Sequence, residues 1–457
     1  MTDLPRFMIA AAHKSSGKTV VSSGLARAFS KQGQNVGSFK KGPDYIDPLW
    51  LSMASDAPCY NLDFNTMSRD ELTRLFTSRA TGRDINLIEA NKGLFDGINP
   101  DGTDSNAELA KLLKAPVVLV IDTVGMTRGI APLLQGYQGF DPDAQIAGVI
   151  LNRTGGPRHT GKLVQAIETY TDLPVLGAIR RTPDMDIAER HLGLITPTEN
   201  PETDEWLNLV SYLVAEQVDL DAIRTIANSA PNLKSKPFNL GRECPNAEGL
   251  RIGIAKDSAF GFYYADDLEA FAEAGATLVP IDMLHDRDLP EIDALFIGGG
   301  FPETQARALA ANRSMRQTVN SALSNGLPCY AECGGLMYLC NSIGWGNESS
   351  EMVSFFDADT RLESKPQGRG YVRFDRNTNH PWGVDKTPIN AHEFHYARIV
   401  NSQETNFTRD IKRGHGTDGS SDGLMKKNTL AGFVHLRHSA QSPWVFDFLD
   451  FVKSHKR

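Results

Sequence analysis

The stretch Leu327-Pro-Cys-Tyr-Ala-Glu-Cys-Gly-Gly-Leu336 decides the fold of the second half of this chain. A mainly apolar run ends at Cys333, two glycines follow, and Leu336-Met-Tyr-Leu339 is typical of a helix start. This pattern predicts a nucleophile elbow, a sharp turn between a strand and a helix that lifts one side chain above a sheet. We therefore expect Cys333 to be a nucleophile whose pKa is lowered by the helix N-terminus, with the Gly334 N–H available to an oxyanion.

A glycine-rich loop upstream and a histidine downstream complete the predicted thiol site. The loop Gly298-Gly-Gly-Phe-Pro-Glu303 follows an apolar strand, and we expect the Gly299 N–H to form an oxyanion hole with that of Gly334. A thiol needs a base to remove its proton, and the downstream candidates are His392, His395, His435 and His438. We favour His435, because it directly follows a short apolar run and so stands at a strand end.

Composition indicates a two-domain globular protein. The chain has 457 residues, too many for one typical core, and its net charge of -9 argues against nonspecific nucleic-acid binding. It has no apolar run of about 18 residues, and its first residues lack an apolar signal segment, so we expect neither a membrane span nor export. The five cysteines are not spaced as metal-binding pairs, which favours a reducing cytoplasm.

The first half of the chain alternates short apolar runs with helical patterns. Runs such as Phe7–Ala11 and Pro116–Ile121 predict buried strands of a parallel sheet that is covered by helices on both faces. The alternation stops in a polar segment and then restarts. We therefore predict an α/β protein with a P-loop-type, doubly wound, mostly parallel domain at residues 1–215, a linker at 216–249 and a second α/β domain at 250–457.

A phosphate-binding loop is predicted directly after the first strand. The segment Ala12-His-Lys-Ser-Ser-Gly-Lys-Thr19 lies between a strand and a helix, as the mechanism of such a loop requires. We expect the backbone around Ser16 and Gly17 to approach the phosphates of a nucleotide. Lys18 is expected to contact the β and γ oxygens, and Thr19 to hold Mg²⁺. Alanines stand where the first glycine usually lies, so the motif is degenerate.

Several carboxylates follow strands of the same predicted sheet, namely Asp44, Asp47, Glu89 and Asp96. Ligands bind at the carboxyl edge of such sheets, and carboxylates there suit metal-assisted phosphoryl transfer. We expect Asp44 and Glu89 to share Mg²⁺ with Thr19, and the whole set to serve the substrate and the transferred phosphoryl group. Lys41 either balances an anionic substrate or is a solvated surface lysine.

These motifs resemble one protein family along nearly the whole chain. The matching stretches are Lys41–Pro48, Gly93–Gly97, Ala107–Leu113, Ile150–Arg153, Glu189–Leu194, Gly298–Glu303 and Tyr330–Tyr338. The sequence resembles the cobyrinic acid a,c-diamide synthases, within the wider group of cobyric acid synthases and dethiobiotin synthetases. This many matches in the same order argue against a chance resemblance.

The resemblance implies a class I glutamine amidotransferase domain with Cys333 as nucleophile and His435 as base, a pair without the third, acidic residue of other glutaminases. It also implies that the first domain uses ATP and Mg²⁺ to phosphorylate peripheral carboxylates of a corrin-type tetrapyrrole. Ammonia from glutamine would then convert the carboxyl phosphates into amides. The carboxylates named above carry over by position, and Asn152 fits a contact with the nucleotide base.

Two departures from the family pattern leave the substrate open. The phosphate loop is poorer in glycine, and Glu89-Ala-Asn-Lys92 stands in place of the more usual Glu-Gly-x-Met. Sirohaem or a sirohydrochlorin derivative is therefore an alternative substrate. Two different functions also fit parts of the sequence: a nucleotide switch with an inactive glutaminase-like domain, and a ligase of small carboxylic acids that uses no glutamine. As partners we expect glutamine and a tetrapyrrole carboxylate, no nucleic acid and no membrane, and the prediction allows a homodimer.

Overall fold

The computed structural model describes residues 4–185, 187, 189–190, 193–199, 202–234, 236, 240–383 and 387–456. Part of the motif at residues 189–194 therefore lies outside the described residues. The chain divides into two compact units, Met1–Phe238 and Asn239–Arg457. Each unit has its own buried apolar core.

The first unit contains a parallel sheet of seven strands. In chain order they are β1 (Arg6–Ala11), β2 (Val36–Lys41), β3 (Cys59–Leu62), β4 (Ile85–Glu89), β5 (Val117–Asp122), β6 (Ile146–Thr154) and β7 (Val175–Arg180). Their order across the sheet is β3-β2-β4-β1-β5-β6-β7. A short antiparallel pair, β8 (Glu189–Arg190) and β9 (Gly193–Leu194), follows in the chain. The doubly wound parallel fold predicted for this half is confirmed.

Helices connect and cover these strands. They are α1 (Lys18–Lys31), α2 (Ile46–Ser55), α3 (Arg69–Ala80), α4 (Asn106–Leu113), α5 (Ile130–Phe140), α6 (Pro157–Tyr170), α7 (Thr203–Gln217) and α8 (Leu220–Asn228). α3 begins with a capping box in which Ser68 and Glu71 each bond the other's backbone N–H. In β5 every side chain from Val117 to Ile121 is buried, because helices cover both faces of the sheet.

The carboxyl ends of β1, β2 and β4 lie side by side, because β4 pairs in parallel with both of the other strands. The phosphate loop follows β1, the loop with Asp44 and Asp47 follows β2, and Glu89 ends β4. The strand order thus gathers three segments that are far apart in the sequence at one edge of the sheet.

The segment predicted as a linker, residues 216–249, is in part helical and in part outside the described residues. Helix α8 begins after Asp219, whose carboxylate accepts the Ala222 N–H at 2.9 Å as an N-cap. Its side chains in the core of the first unit are Leu220, Ile223 and Ala227. The linker prediction is therefore wrong for residues 220–228, because this apolar stripe is too short to stand out among polar neighbours.

The second unit contains the remaining strands and helices. The strands are β10 (Arg251–Ala255), β11 (Phe260–Phe262), β12 (Thr277–Ile281), β13 (Ala294–Ile297), β14 (Gly299–Gly300), β15 (Cys329–Glu332), β16 (Ser342–Trp345), β17 (Glu348–Glu351), β18 (Asp359–Leu362), β19 (Gly368–Arg376), β20 (Ile389–His395), β21 (Ala397–Val400), β22 (Phe407–Arg413), β23 (Ser421–Lys426) and β24 (Thr429–Gly432). The helices are α9 (Ala265–Glu273), α10 (Ala306–Ala311), α11 (Arg313–Ser324), α12 (Gly334–Leu339) and α13 (Trp444–His455).

A mixed nine-stranded sheet in the order β12-β10-β13-β15-β24-β23-β22-β19-β20 forms the centre of this unit. A four-stranded sheet, β17-β16-β18-β21, and the pair β11-β14 complete it. β15 lies between β13 and β24 and pairs in parallel with both. Every residue of β15 is buried, so the turn that follows it is held firmly in the core.

Candidate active site

Cys333 lies at the turn between β15 and α12. Its backbone angles, φ 49 and ψ -101, are rare for a residue with a side chain and store strain of about 1–3 kcal/mol. Its N–H donates to the Gly432 carbonyl at 2.7 Å, and its carbonyl accepts the Met337 N–H at 3.1 Å. The neighbouring strand and the first helical turn therefore hold the elbow, which has the strand, turn and helix that the sequence predicts.

The glycine loop contacts both the elbow and His435. A Cβ added at Gly334 would lie 2.9 Å from Cδ of Pro302, and one added at Gly299 would lie 2.7 Å from Cε1 of His435. Both distances are shorter than real carbon contacts, so these positions have no space for a side chain. The loop, the elbow and His435 thus meet in one place, as an oxyanion hole beside a thiol and its base requires.

The expectation of a lowered thiol pKa is wrong. Burial, followed by the negative charge of Glu303, raises the pKa of the Cys333 thiol above its ordinary value. The Gly334 N–H, which faces the thiol, lowers this pKa, but by less than burial raises it. Cys333 therefore rests as a thiol, and its use as a nucleophile requires a base.

The structure brings His435 to the glycine loop, and His392 stacks on the ring of His435. The backbone N–H of His435 donates to the His392 carbonyl at 2.9 Å, and the two imidazole rings have centroids 4.9 Å apart. Burial, then the adjacent His435, lowers the pKa of His392, so His392 remains neutral. His395 and His438 have other surroundings, since their rings pack on Phe433 and Phe446.

A carboxylate that the sequence motifs do not assign also reaches His435. The Glu332 Oε2 lies 3.3 Å from the His435 Nδ1, and both side chains are buried. The prediction of a pair without an acid comes from the family resemblance, and this acid directly precedes the nucleophile in the chain. A glutamate in a fully buried strand is the signal that the sequence offers, because such a charge needs a partner.

The phosphate loop is held by hydrogen bonds to its backbone. Gly17 has φ 81, and a side chain there would overlap the Asn152 amide. That amide donates to the Ser16 carbonyl at 2.9 Å, and the Ser16 hydroxyl donates to the His13 carbonyl at 2.8 Å. Asn152 therefore supports the loop, while its contact with a nucleotide base stays a prediction.

Lys18 is buried and donates from Nζ to the Lys92 carbonyl at 2.6 Å. Burial, followed by the positive charge of Lys40, lowers the pKa of Lys18 to about 8. The carboxylates of Glu89, Asp47 and Asp96 act in the opposite direction, but with less effect. Lys18, which is predicted to bind the phosphates, therefore loses its proton more readily than an ordinary lysine when no phosphate is bound.

Lys40 joins three of the predicted carboxylates into one cluster. Its Nζ donates to Asp47 and, at 2.7 Å, to Glu89, and it lies 3.9 Å from Asp44. Although burial opposes its charge, Asp47 and Glu89 raise the pKa of Lys40 overall. The same ion pair outweighs burial at Asp47 and lowers its pKa. Partial burial and the charge of Asp47 raise the pKa of Asp44, a third of whose side chain is exposed.

The other predicted substrate residues, Asp96 and Lys41, have hydrogen-bond partners outside the Lys40 cluster. The Asp96 carboxylate accepts the Gly93 N–H at 2.9 Å. Lys41 is buried and donates to the Asp104 carbonyl at 2.6 Å. Lys41 is therefore not a solvated surface lysine, and burial lowers the pKa of its ammonium group.

Thr19 and Glu89 fit a magnesium ion that is also held by phosphate oxygens. The Thr19 hydroxyl donates to Glu89 Oε1 at 3.1 Å, and Glu89 Oε2 is buried with no hydrogen-bond partner among the described residues. Within the described part of the chain, no three His, Cys, Asp or Glu side chains are placed to hold a metal ion by themselves. Mg²⁺ at nucleotide sites uses one or two protein ligands with phosphates and water, so this small set suffices.

Comparison with known proteins identifies the two units. Residues 7–195 match the CobQ/CobB/MinD/ParA nucleotide binding domain, and residues 251–443 match the CobB/CobQ-like glutamine amidotransferase domain. With the sites described above, these matches define a nucleotide-binding glutamine amidotransferase of the ligase class. In the described residues, no helix is both long enough and apolar enough to cross a membrane.

Relatives along the full length specify the family. The chain is 39% identical to the cobyrinate a,c-diamide synthase of Magnetococcus marinus over 96% of this chain and 96% of the relative. It is 37% identical to the enzyme of that name from Dehalococcoides mccartyi, over 99% of both chains. It is 39% identical to that of Archaeoglobus fulgidus, over 95% of this chain and 94% of the relative. The chain belongs to the cobyrinate a,c-diamide synthase family.

Proposed function

We propose that this protein uses ATP and glutamine to amidate peripheral carboxylates of a corrin-type tetrapyrrole, the a and c acetate side chains of cobyrinate. The observation that carries this proposal is the presence in one chain of an elbow cysteine with a histidine and of a phosphate loop with a carboxylate cluster. One site would release ammonia, and the other would activate the acid that ammonia attacks.

At the thiol site, Cys333 and His435 hydrolyse glutamine. His435 takes the thiol proton while Sγ forms a bond to the amide carbon, and the N–H groups of Gly299 and Gly334 bind the oxyanion. The C–N bond breaks, and ammonia leaves with the proton from His435. Water then attacks the thioester, with His435 again as base, and releases glutamate and the thiol. A thiol with a raised pKa makes this base necessary.

At the first unit, the phosphate loop and the Lys40 cluster prepare a carboxyl phosphate. When bound, Mg²⁺ and ATP supply a phosphoryl group and the charge neutralisation that its transfer needs. Lys18 binds the β and γ oxygens, and Thr19 with Asp44 and Glu89 would hold the ion. Asp44 and Asp47, together with Asp96 and Lys41, are proposed to position the substrate carboxylate. Ammonia then displaces phosphate and leaves an amide.

The identity of the tetrapyrrole substrate is the most specific part of the proposal. The family name supports cobyrinate, whereas Glu89-Ala-Asn-Lys92 keeps sirohaem or a sirohydrochlorin derivative as the alternative. Incubation of the protein with ATP, glutamine and each tetrapyrrole in turn, followed by mass measurement of the amide products, separates the two. Two added amides on cobyrinate support the proposal, and amides only on a sirohydrochlorin contradict its substrate.

Variants of the two sites test whether glutamine hydrolysis and carboxylate activation take place at separate sites. Cys333→Ala should abolish amidation with glutamine but retain it with added ammonia, because only the nitrogen source is lost. Lys18→Ala should stop amidation with either nitrogen source, because no carboxyl phosphate forms. A folded Cys333→Ala protein that is inactive with ammonia, or a Lys18→Ala protein of normal activity, would overturn the two-site scheme.

A further inference from the structure

Glu332 is the last residue of β15 and directly precedes Cys333. Its Oε2 lies 3.3 Å from Nδ1 of His435, and the glutamate and the histidine are both about 3% exposed. We propose that Glu332 is the third member of the thiol site, a positioning residue that orients His435 and stabilises its protonated form. This inference rests on the proposed glutaminase function and names the acid that the pair was expected to lack.

The Glu332 carboxylate is fixed by donors from two sides. Oε1 accepts the Leu436 N–H at 2.8 Å and the Tyr330 hydroxyl at 2.7 Å. The Tyr330 hydroxyl in turn accepts a hydrogen bond from the Arg409 guanidinium at 3.3 Å. These donors hold Oε1 and leave Oε2 to face the imidazole.

An ionised carboxylate only accepts hydrogen bonds, so the Nδ1 of neutral His435 must carry the proton when it faces Glu332. Nε2 is then the nitrogen with a lone pair, the one that can take the proton of the Cys333 thiol. When it does so, the imidazolium forms 3.3 Å from a negative charge, in a buried place where that charge acts strongly. This is the role of the aspartate in a serine protease triad.

The neighbouring groups His392, Arg437 and Glu303 differ from Glu332 in charge or in the group that they act on. His392 stacks on His435 and is neutral, because burial lowers the pKa of His392. The Arg437 guanidinium is a cation and is paired with Asp266 at 2.7 Å. The negative charge of Glu303 raises the pKa of the thiol and so opposes its ionisation. Among the ion pairs of the described residues, the one at the His435 ring is with Glu332, at 3.3 Å.

The test compares Glu332→Gln, Glu332→Asp and wild type in glutamine hydrolysis across pH. Glu332→Gln should lower kcat about 10²–10⁴-fold, because the amide no longer fixes the tautomer or stabilises the imidazolium. The rising limb of the pH profile, which reports the essential base, should shift in Glu332→Gln, because the negative charge beside that base is removed. Glu332→Asp, which keeps the charge, should retain more activity and the wild-type limb.

Glu393→Gln is the matched control. Glu393 is a buried glutamate of the same sheet, 3.6 Å from the imidazole of His395, and is not part of the thiol site. Its variant should leave the limb in place, whatever it does to stability. Urea denaturation followed by circular dichroism measures folding in every variant, because amidation with added ammonia takes place in the first unit and these substitutions lie in the second.

Three outcomes overturn the inference. They are a normal rate and limb for Glu332→Gln, equal losses for the Gln and Asp variants with no pH shift, and an equal limb shift for Glu393→Gln. Failure of the proposed function is a different result, in which the wild-type protein itself releases no glutamate from glutamine.

Discussion

The weakly held proton of Lys18 leads to a measurable property of nucleotide binding. A lysine whose pKa is lowered to about 8 loses its charge as pH rises through that value, whereas an ordinary lysine keeps it to about pH 10. The phosphates of ATP require the charged form. ATP binding above pH 8 should therefore take up a proton at Lys18, whose Nζ would leave the Lys92 carbonyl for the phosphates.

The size of the uptake follows from the pKa. At pH 9 a group with a pKa of about 8 is charged in about one tenth of the molecules, so binding takes up about 0.9 proton per site. At pH 7 the uptake by this residue falls to about 0.1 proton. Each pH unit above 8 also weakens binding by about 1.4 kcal/mol, or about tenfold. Asp44, whose pKa is raised to about 7, and Asp47, whose pKa is lowered, are ionised at pH 9 and contribute little there.

Calorimetric titration with the β,γ-imido analogue of ATP and Mg²⁺ at pH 9, in buffers of different ionisation enthalpy, counts the protons. Lys18→Arg is the matched control, since arginine keeps its charge at every pH used. Binding enthalpies that do not depend on the buffer at pH 9 would refute the reasoning. The same uptake in the arginine variant would place the titrating group elsewhere.

Two further predictions concern the packing of each unit. Lys40→Met should lower the free energy of unfolding of the first unit by about 3–5 kcal/mol, because buried Glu89 and Asp47 lose their cation. Urea denaturation measures this change, and a loss below about 1 kcal/mol would contradict the prediction. Gly335→Ala should reduce glutamine hydrolysis about 100-fold, since its Cβ would overlap the Ile297 carbonyl and displace the elbow. Amidation with ammonia should survive that change, because it takes place in the first unit, and a wild-type urea denaturation curve would show that the loss of glutamine hydrolysis is not due to unfolding.

Much of this fold is predictable from local patterns. The apolar runs predict strands in both units, and the elbow motif predicts the turn at Cys333, because each signal lies within a few consecutive residues. The linker prediction is wrong at α8. The three buried side chains of this helix are too few to indicate a helix in the sequence, and only their contacts with the core show that it belongs to the first unit.

The candidate active site likewise has features that the sequence predicts and features that only the folded structure shows. The phosphate loop and His435 follow from residue order, but the pairing of Glu332 with His435 depends on how β15 and β24 are aligned in the sheet. The direction in which the pKa of the Cys333 thiol shifts cannot be predicted from the sequence, for a related reason. A helix N-terminus is visible in the sequence, whereas the burial that outweighs it belongs to the packed domain.

The adjacency of Glu332 and Cys333 in the chain has a mechanical consequence. The glutamate and the nucleophile cannot move independently, whereas His435 is carried by the segment that follows the neighbouring strand, β24. The pairing of β15 with β24, in which Glu332 lies opposite Gly432, therefore places the histidine against both groups at once. A substitution that disturbs this register should impair the base and the nucleophile together, so the two effects would not be additive.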